Sequence, residues 1–541
     1  MTDQSPLAGS AIIPDSAPFT PDQRAWLNGF FAGLMALDAG SKPATAADLA
    51  TAGGGAAARA TSTDGDDGAA PWHDPAMALD ERMTLATGRP LRRKMMAAMA
   101  QQDCGQCGYN CEDYANAITD QAEPRLNLCV PGGKATARML KSLVEDMGGG
   151  VVDPEAVAAK PVAPVKSQDA RPGRSREHPA EATLADRFRL NSEGSEKVTN
   201  HIEIDLTASG LDYVPGDSLG VMARNDEALA DQVIAAISAP PDFPIAGRTL
   251  REALIEGSSL SPAPDALFQL ISYMTGGDRK KKALALSKGG DPDGDAATLD
   301  VLAALEKFPG LRPDPEAFIE VLDPLQPRLY SISSSLKANP GRVSLTVDTV
   351  RYDIGKRDRL GVASTFLGSR APLGAAVRVY VQKAHGFALP DNAAVPIIMV
   401  GPGTGVAPFR SFLQERNAVA SPGRAWLFYG HQRQASDYFY AGEFAEFVRA
   451  GTLTRLSTAW SRDGVKKTYV QDKMREDGGE LFRWLEDGAH FYICGDAKRM
   501  AKDVETALCE IIVAHGGRSE SDALAYIAGL KKSGRYQADV Y

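Results

Sequence analysis

The sequence predicts a multidomain fold. A strand-rich domain carries a helical insertion, an α/β parallel-sheet domain follows it, and a small α-helical segment precedes both. Three observations predict this. From residue 396 a pattern of strand, glycine loop and helix repeats to the end, as in an open parallel sheet. Strand patterns that begin at residue 183 and return at 328–382 flank a largely helical stretch at about 222–325. Four of the six cysteines fall between Cys104 and Cys129, just after a stretch of helical periodicity at 76–102.

The totals set bounds. At roughly 150 residues per domain, 541 residues allow about three or four domains. With 59 basic and 69 acidic residues the net charge is −10, which argues against nucleic acid as a partner. No run of eighteen apolar residues predicts a membrane span, and Met-Thr-Asp-Gln-Ser-Pro is not a secretory start. A cytoplasmic protein keeps its thiols reduced, so clustered cysteines there point to metal rather than to disulfides.

Along the chain, Thr20-Pro21-Asp22-Gln23 reads as a capping box with proline at the first helical position. Trp26, Leu27, Phe30, Phe31 and Leu34 follow at helical spacing, a face that either packs on its own protein or docks a partner. The Ala, Gly, Ser, Thr and Asp of 38–71 predict a tether, so residues 1–75 form one helix-and-tether region. Met83, Met95, Met96 and Met99 are expected in a core. The cysteine segment spans 76–147, and the Gly-, Pro- and Ala-rich 148–182 reads as a second linker. His201–Leu206 alternates as a half-buried strand, and Arg279–Lys282 reads as a solvated helix face.

Cys104-Gly-Gln-Cys107-Gly-Tyr-Asn-Cys111 places three thiols in eight residues, and Cys129 is followed by Pro131. Structural zinc prefers two separated cysteine pairs. Three consecutive thiols plus a lone fourth near proline favour a [4Fe-4S] cluster. Cys111 opens a predicted helix whose amide end would favour the negative charge of a reduced cluster.

Arg328-Leu-Tyr330-Ser331 follows Pro327. It offers a planar fork for a pyrophosphate, a ring face, and a hydroxyl for a flavin nitrogen. Gly361-Val362-Ala363-Ser364-Thr365 is a small-residue turn entering a helix, suited to phosphate oxygens. Ile397–Val400 then leads through Gly401-Pro-Gly403-Thr404-Gly405 into a helix, the arrangement that binds a dinucleotide pyrophosphate. Ser461, Arg462 and Lys467 could hold a 2′-phosphate with Tyr469 against adenine, which predicts NADPH; Gln471 belongs to the same candidate site. Asp463 argues the other way. Cys494-Gly-Asp496 ends a strand at the carboxyl edge of the predicted sheet, where ligands bind, and Asp496 joins the nucleotide candidates. Cys509 reads as a buried thiol.

These motifs are similar to those of the ferredoxin–NADP reductase superfamily. Over residues 183–541, including Tyr213-x-Pro-Gly-Asp-x-Leu-Gly220, the chain resembles the FAD/NADPH half of the diflavin reductases, and among them the sulfite reductase flavoprotein (alpha) subunits. The cysteine segment resembles the small iron–sulfur domain of several redox complexes, with three residues where that family has four between its second and third cysteines. The resemblance implies an antiparallel β-barrel FAD domain at 183–395 and an NADP domain at 396–541. It implies Ser331, Cys494 and Asp539 around the site of hydride transfer, and Tyr541 stacked on the isoalloxazine. It implies FAD, NADPH and a [4Fe-4S] cluster held by Cys104, Cys107, Cys111 and Cys129, with no FMN domain. The implied partner is a sirohaem protein that reduces sulfite to sulfide. A reductase of a ferredoxin or oxygenase component, or a non-catalytic zinc-holding assembly subunit, are the alternatives.

Overall fold

The computed structural model describes residues 70–146, 171–355, 357–384 and 386–541. The expected helix at 20–34, nearly all of the tether and most of the 148–182 linker lie outside the described residues. The stretch expected to be helical over 76–102 forms two helices, α1 (Leu79–Leu85) and α2 (Leu91–Ala98). Gly88, at φ +78°, and Pro90 separate them, because a left-handed turn and a missing N–H both interrupt a helix. Met95, Met96 and Met99 are buried as expected, against Tyr114 and Ile118 of α3 (Cys111–Thr119) and Leu140 of α4 (Gly133–Glu145).

The next strands, in chain order, are β1 (Ala180–Arg189), β2 (Thr199–Asp205), β3 (Ser218–Met222), β4 (Pro244–Ile245), β5 (Arg248–Thr249), β6 (Arg328–Ser331), β7 (Arg342–Asp348), β8 (Arg351–Ile354), β9 (Arg357–Leu360) and β10 (Ala376–Gln382). Six of them make one antiparallel sheet in the order β6-β3-β10-β1-β2-β7. An Ile332–Leu345 bridge joins its two ends, so the sheet closes into the expected barrel. β4–β5 and β8–β9 are separate hairpins. The predicted linker ends early: residues 173 and 178 already share a hydrogen bond, Gly173 N–H to His178 C=O at 2.6 Å.

The alternation at 201–206 predicts a half-buried strand, but β2 is covered on both faces. Ile202 and Ile204 enter the barrel core. On the other face His201 stacks on Phe188, centroids 4.6 Å apart, and its Nδ1 lies 3.1 Å from the Tyr440 hydroxyl. That second cover comes from the following domain, which a strand's own pattern cannot show. Burial first, then Arg410, lowers the imidazole pKa to about 4.

The insertion between β3 and β6 is helical as expected: α5 (Glu227–Ile237), α6 (Asp265–Met274), α7 (Gly277–Ser287), α8 (Val301–Lys307) and α9 (Pro315–Glu320). It has its own core around Val233, Leu254, Phe268, Leu302 and Phe318. Arg279–Lys282 are exposed on α7.

The last domain is a parallel sheet of β11 (Ile397–Val400), β12 (Ala425–His431), β13 (Arg455–Trp460), β14 (His490–Gly495) and β15 (Tyr536–Val540), in the order β13-β12-β11-β14-β15. Helices α10 (Ala407–Ala418) and α11 (Ala441–Arg449) cover one face. Helices α12 (Val470–Glu476), α13 (Gly478–Glu486), α14 (Met500–Gly516) and α15 (Glu520–Lys532) cover the other. Buried on both sides, the central strands are near-continuous apolar runs. Among the described residues no helix is long and apolar enough to cross a membrane.

Candidate active site

The carboxyl edge of the parallel sheet meets the barrel at β6. Cys494, near the end of β14, stands in register with Asp539 of β15. Ser331 approaches from the end of β6, and its hydroxyl donates to Asp539 Oδ2 at 2.5 Å. The Cys494 thiol donates to the same oxygen at 3.6 Å. The three residues that the resemblance places around hydride transfer are thus in one cluster, built from two domains. Burial raises the Asp539 carboxyl above the usual carboxylate range, against the hydrogen bonds from Ser331 and Cys494. Burial, then the charge of Asp539, pushes the Cys494 thiol well up, so it is a proton donor here rather than a thiolate.

Tyr541 lies beside this cluster. Its N–H donates to Gly495 C=O at 3.0 Å, and its own C=O accepts from Ala497 N–H at 3.2 Å. Its hydroxyl lies 2.9 Å from Thr404 Oγ1, and the residue stays 55% exposed. A half-open aromatic at a sheet edge has a face available for stacking.

The glycine loop needs its glycines. Gly403 has φ +58°, a left-handed conformation that favours glycine. A Cβ on Gly405 would stand 2.1 Å from Cys494 C=O, and one on Gly401 would stand 2.5 Å from Gly405 C=O. The loop therefore presses directly on the Cys494 strand end before α10 begins. On the barrel side, Arg328 is exposed while Tyr330 packs against the core. Gly361 opens the Val362–Thr365 turn, whose first N–H groups, of Val362, Ala363 and Ser364, have no intrahelical acceptor by geometry. Thr365 Oγ1 donates to Gly361 C=O at 2.8 Å, and Ser364 Oγ accepts from Val350 N–H at 3.1 Å, so these two hydroxyls shape the turn.

The remaining nucleotide candidates have mixed surroundings. Ser461 and Arg462 follow β13, their N–H groups donating to His431 and Gln432 carbonyls at 2.9 and 2.8 Å. The Arg462 guanidinium pairs with Glu196 of the barrel domain. Asp463 accepts from Gln434 N–H at 2.8 Å and so ties two segments together. Lys467 and Tyr469 are exposed. Gln471 Nε2 donates to Asp503 at 3.3 Å. Asp496 accepts from Arg499 N–H at 2.7 Å and so shapes the start of α14.

All four clustered cysteines line one small cavity, with Met99, Tyr109, Tyr114 and Pro131. Burial pushes the Cys104 thiol up to about 11, with Cys107 and Cys129 adding to the shift; burial also raises Cys107, Cys111 and Cys129. α3 opens at Cys111, as the sequence led us to expect, and Asn110 caps it, accepting from Asp113 N–H at 2.7 Å. Among the described residues no group of three or more His, Cys, Asp or Glu side chains is arrayed as a metal site. The thiols converge without forming a ligand set as they stand. The donor chemistry nonetheless fits a thiolate-ligated iron centre, since four thiols share one cavity; the polar Gln102 and Asn110 also line it, and the Asp103 carboxylate is occupied in accepting from Cys111 N–H at 2.7 Å.

One set of contacts escaped the sequence. Gln106, between Cys104 and Cys107, is buried and donates to Pro327 C=O at 2.7 Å, one residue before Arg328. Asn127 donates to Asp323 at 2.6 Å, and Arg138 forms a fork on Asp265 at 2.9 and 2.9 Å. The cysteine segment is docked on the barrel and its insertion, and its loop abuts the β6 strand.

A sheet edge of this kind, with a glycine loop and a barrel strand converging on one carboxyl, defines a reductase that binds a flavin and a nicotinamide nucleotide. Residues 172–274 and 246–366 match the FAD binding domain, and residues 399–506 match the oxidoreductase NAD-binding domain. The sulfite reductase (NADPH) flavoprotein alpha-component of Bacillus subtilis (strain 168) is 39% identical over 430 residues, 78% of this chain and 70% of that protein. Those of Escherichia coli O157:H7 and Shigella flexneri serotype 5b (strain 8401) are each 43% identical over 377 residues, 68% of this chain and 61% of theirs. The chain belongs to the sulfite reductase (NADPH) flavoprotein alpha-component family and is an NADPH-dependent oxidoreductase. It spans less than two thirds of the Escherichia and Shigella relatives.

Proposed function

We propose that this chain takes reducing equivalents from NADPH and delivers them, through a bound FAD and a [4Fe-4S] cluster, to a separate sirohaem protein that reduces sulfite to sulfide. When bound, FAD accepts electrons as a pair and releases them singly, and the cluster carries them one at a time. Arg328 and the Gly361–Thr365 turn would hold the FAD pyrophosphate, and Tyr330 and Tyr541 its ring. The Gly401–Gly405 loop would take the nucleotide pyrophosphate, with Ser461, Arg462, Lys467 and Tyr469 around the 2′-phosphate end. Ser331, Cys494 and Asp539 would order and exclude water from the atoms that react, with Asp539 holding a proton that it gives to the Ser331 oxygen only as Ser331 passes its own hydroxyl proton on to the atom it faces. Cys104, Cys107, Cys111 and Cys129 would ligate the cluster as thiolates, which the binding of metal would deprotonate.

The observation that carries this reading is the Gln106–Pro327 hydrogen bond. It sets the loop bearing two of the thiols against the strand bearing Arg328, Tyr330 and Ser331. The test is anaerobic purification with iron, acid-labile sulfide and flavin analysis, followed by sulfide production from NADPH with a sirohaem partner added. Sulfide formed only when both proteins are present supports the reading. Flavin without iron or sulfide removes the cluster from it, and electron delivery to a ferredoxin alone assigns the other acceptor.

A further inference from the structure

The cysteine loop lies on the outside of the barrel. Val377, Val379 and Val381 of β10 belong to the barrel core, so Tyr380 and Gln382 face the other way. A Cβ on Gly105, at φ +67°, would meet the Gln382 amide at 2.8 Å, so the chain between Cys104 and Cys107 sits on this outer face. Arg176 fastens it there, Nη1 donating to Gln106 C=O at 2.6 Å.

Tyr380 is buried beneath that loop, 1% exposed. Its ring lies against Gly220, where a Cβ would come within 2.2 Å of it, and Gly220 in turn pairs with Leu329 of β6. Its hydroxyl has no hydrogen-bond partner among the described residues. Buried tyrosines ordinarily find one, so an acceptor is missing at this spot. Burial raises the phenol's pKa; Arg176 opposes this, and Glu177, Cys104 and Cys107 add to it. Gln382, which Gly105 lies against, is two residues along the same face of β10, so the loop that carries Cys104 and Cys107 covers the face on which Tyr380 stands.

We propose that Tyr380 donates a hydrogen bond to the sulfur of Cys104 or Cys107 when those thiolates hold the cluster, and so sets the cluster's potential. This rests on the cluster reading above. A donor to a ligating sulfur stabilises the more negative, reduced state and raises the potential. The missing acceptor would then be supplied only in the loaded protein.

The experiment compares the anaerobically purified full chain with Tyr380→Phe by potentiometric titration read by electron paramagnetic resonance, alongside iron, sulfide and flavin content. The variant is expected to keep its iron, sulfide and flavin. Its cluster should show about a tenfold lower reduced-to-oxidised ratio at the parent's midpoint, a shift of about 59 mV downward for one electron, while the flavin midpoint stays in place. Difluorotyrosine at position 380, a stronger donor of nearly the same shape, should move the midpoint the other way; it carries the test if Tyr380→Phe loses the cluster. A full cluster with an unmoved midpoint overturns this inference alone. A parent without iron and sulfide overturns the cluster reading and this inference together.

Discussion

Ser331 and Asp539 are 208 positions apart and share a 2.5 Å hydrogen bond across the barrel and the parallel sheet. The bond brings the flavin strand to the sheet edge, where Cys494 donates to the same carboxylate oxygen. Two domains that fold around separate cores are thereby locked at the point where their ligands would meet.

Asp539→Asn tests this carboxyl in two ways. Its folded pKa is raised by burial, so the parent loses stability as pH climbs from the ordinary carboxylate value, about 3.9, through the folded one. Asparagine does not ionise and escapes that loss. Urea midpoints should be higher for the variant at neutral pH and converge with the parent in acid. Flavin bleaching by NADPH should slow by on the order of 10²-fold; an unchanged rate removes Asp539 from the chemistry.

Gly405→Ala places a methyl 2.1 Å from the Cys494 carbonyl oxygen, a backbone atom, where no rotamer change relieves it. Overpacking of this kind costs about 1–3 kcal/mol. The expected outcome is a lower melting temperature together with a raised KM for NADPH, because the displaced loop is the one proposed to receive the pyrophosphate. Retention of both parental values would mean the loop tolerates movement.

Much of this was legible in the residues. The glycine loop, the insertion and the parallel sheet each repeat a local period or turn chemistry over many positions, and each is found where expected. What could not be read was contact between distant segments. The alternation of β2 carries no trace of Tyr440, which covers its second face. Gln106 has the same chemistry whether it is solvated or donating to a carbonyl 221 positions on. The charge of Asp463 is visible in sequence, whereas its acceptor role toward Gln434 is not.

Arg462 is the cation proposed for the 2′-phosphate, and it is paired with Glu196 in the free protein. The phosphate must displace that carboxylate, both partners being solvent-accessible. Arg462→Ala should raise the KM for NADPH about 10- to 100-fold, the worth of a charge-assisted hydrogen bond, and leave that for NADH nearly unchanged. Glu196→Gln should do the reverse, lowering the KM for NADPH a few-fold, with an effect that fades at high salt. Steady-state kinetics with both nucleotides decide it, and equal losses for the two coenzymes in Arg462→Ala would move the phosphate site elsewhere.

Tyr541 is held by two kinds of bond that substitution can separate. Its main-chain groups bond to Gly495 and Ala497 and survive any side-chain change, whereas its ring position depends on the hydroxyl contact with Thr404 at 2.9 Å. Tyr541→Phe forfeits only that contact, about 1 kcal/mol, and should keep the parental preference for NADPH. Tyr541→Ala removes the ring that would otherwise occupy the flavin face. Nicotinamide then docks without displacing it, so the KM for NADH should fall about tenfold and the NADPH preference should shrink. If Tyr541→Ala and the parent show the same ratio of kcat/KM for the two coenzymes, the ring does not guard the flavin, and its exposure at the sheet edge has another cause.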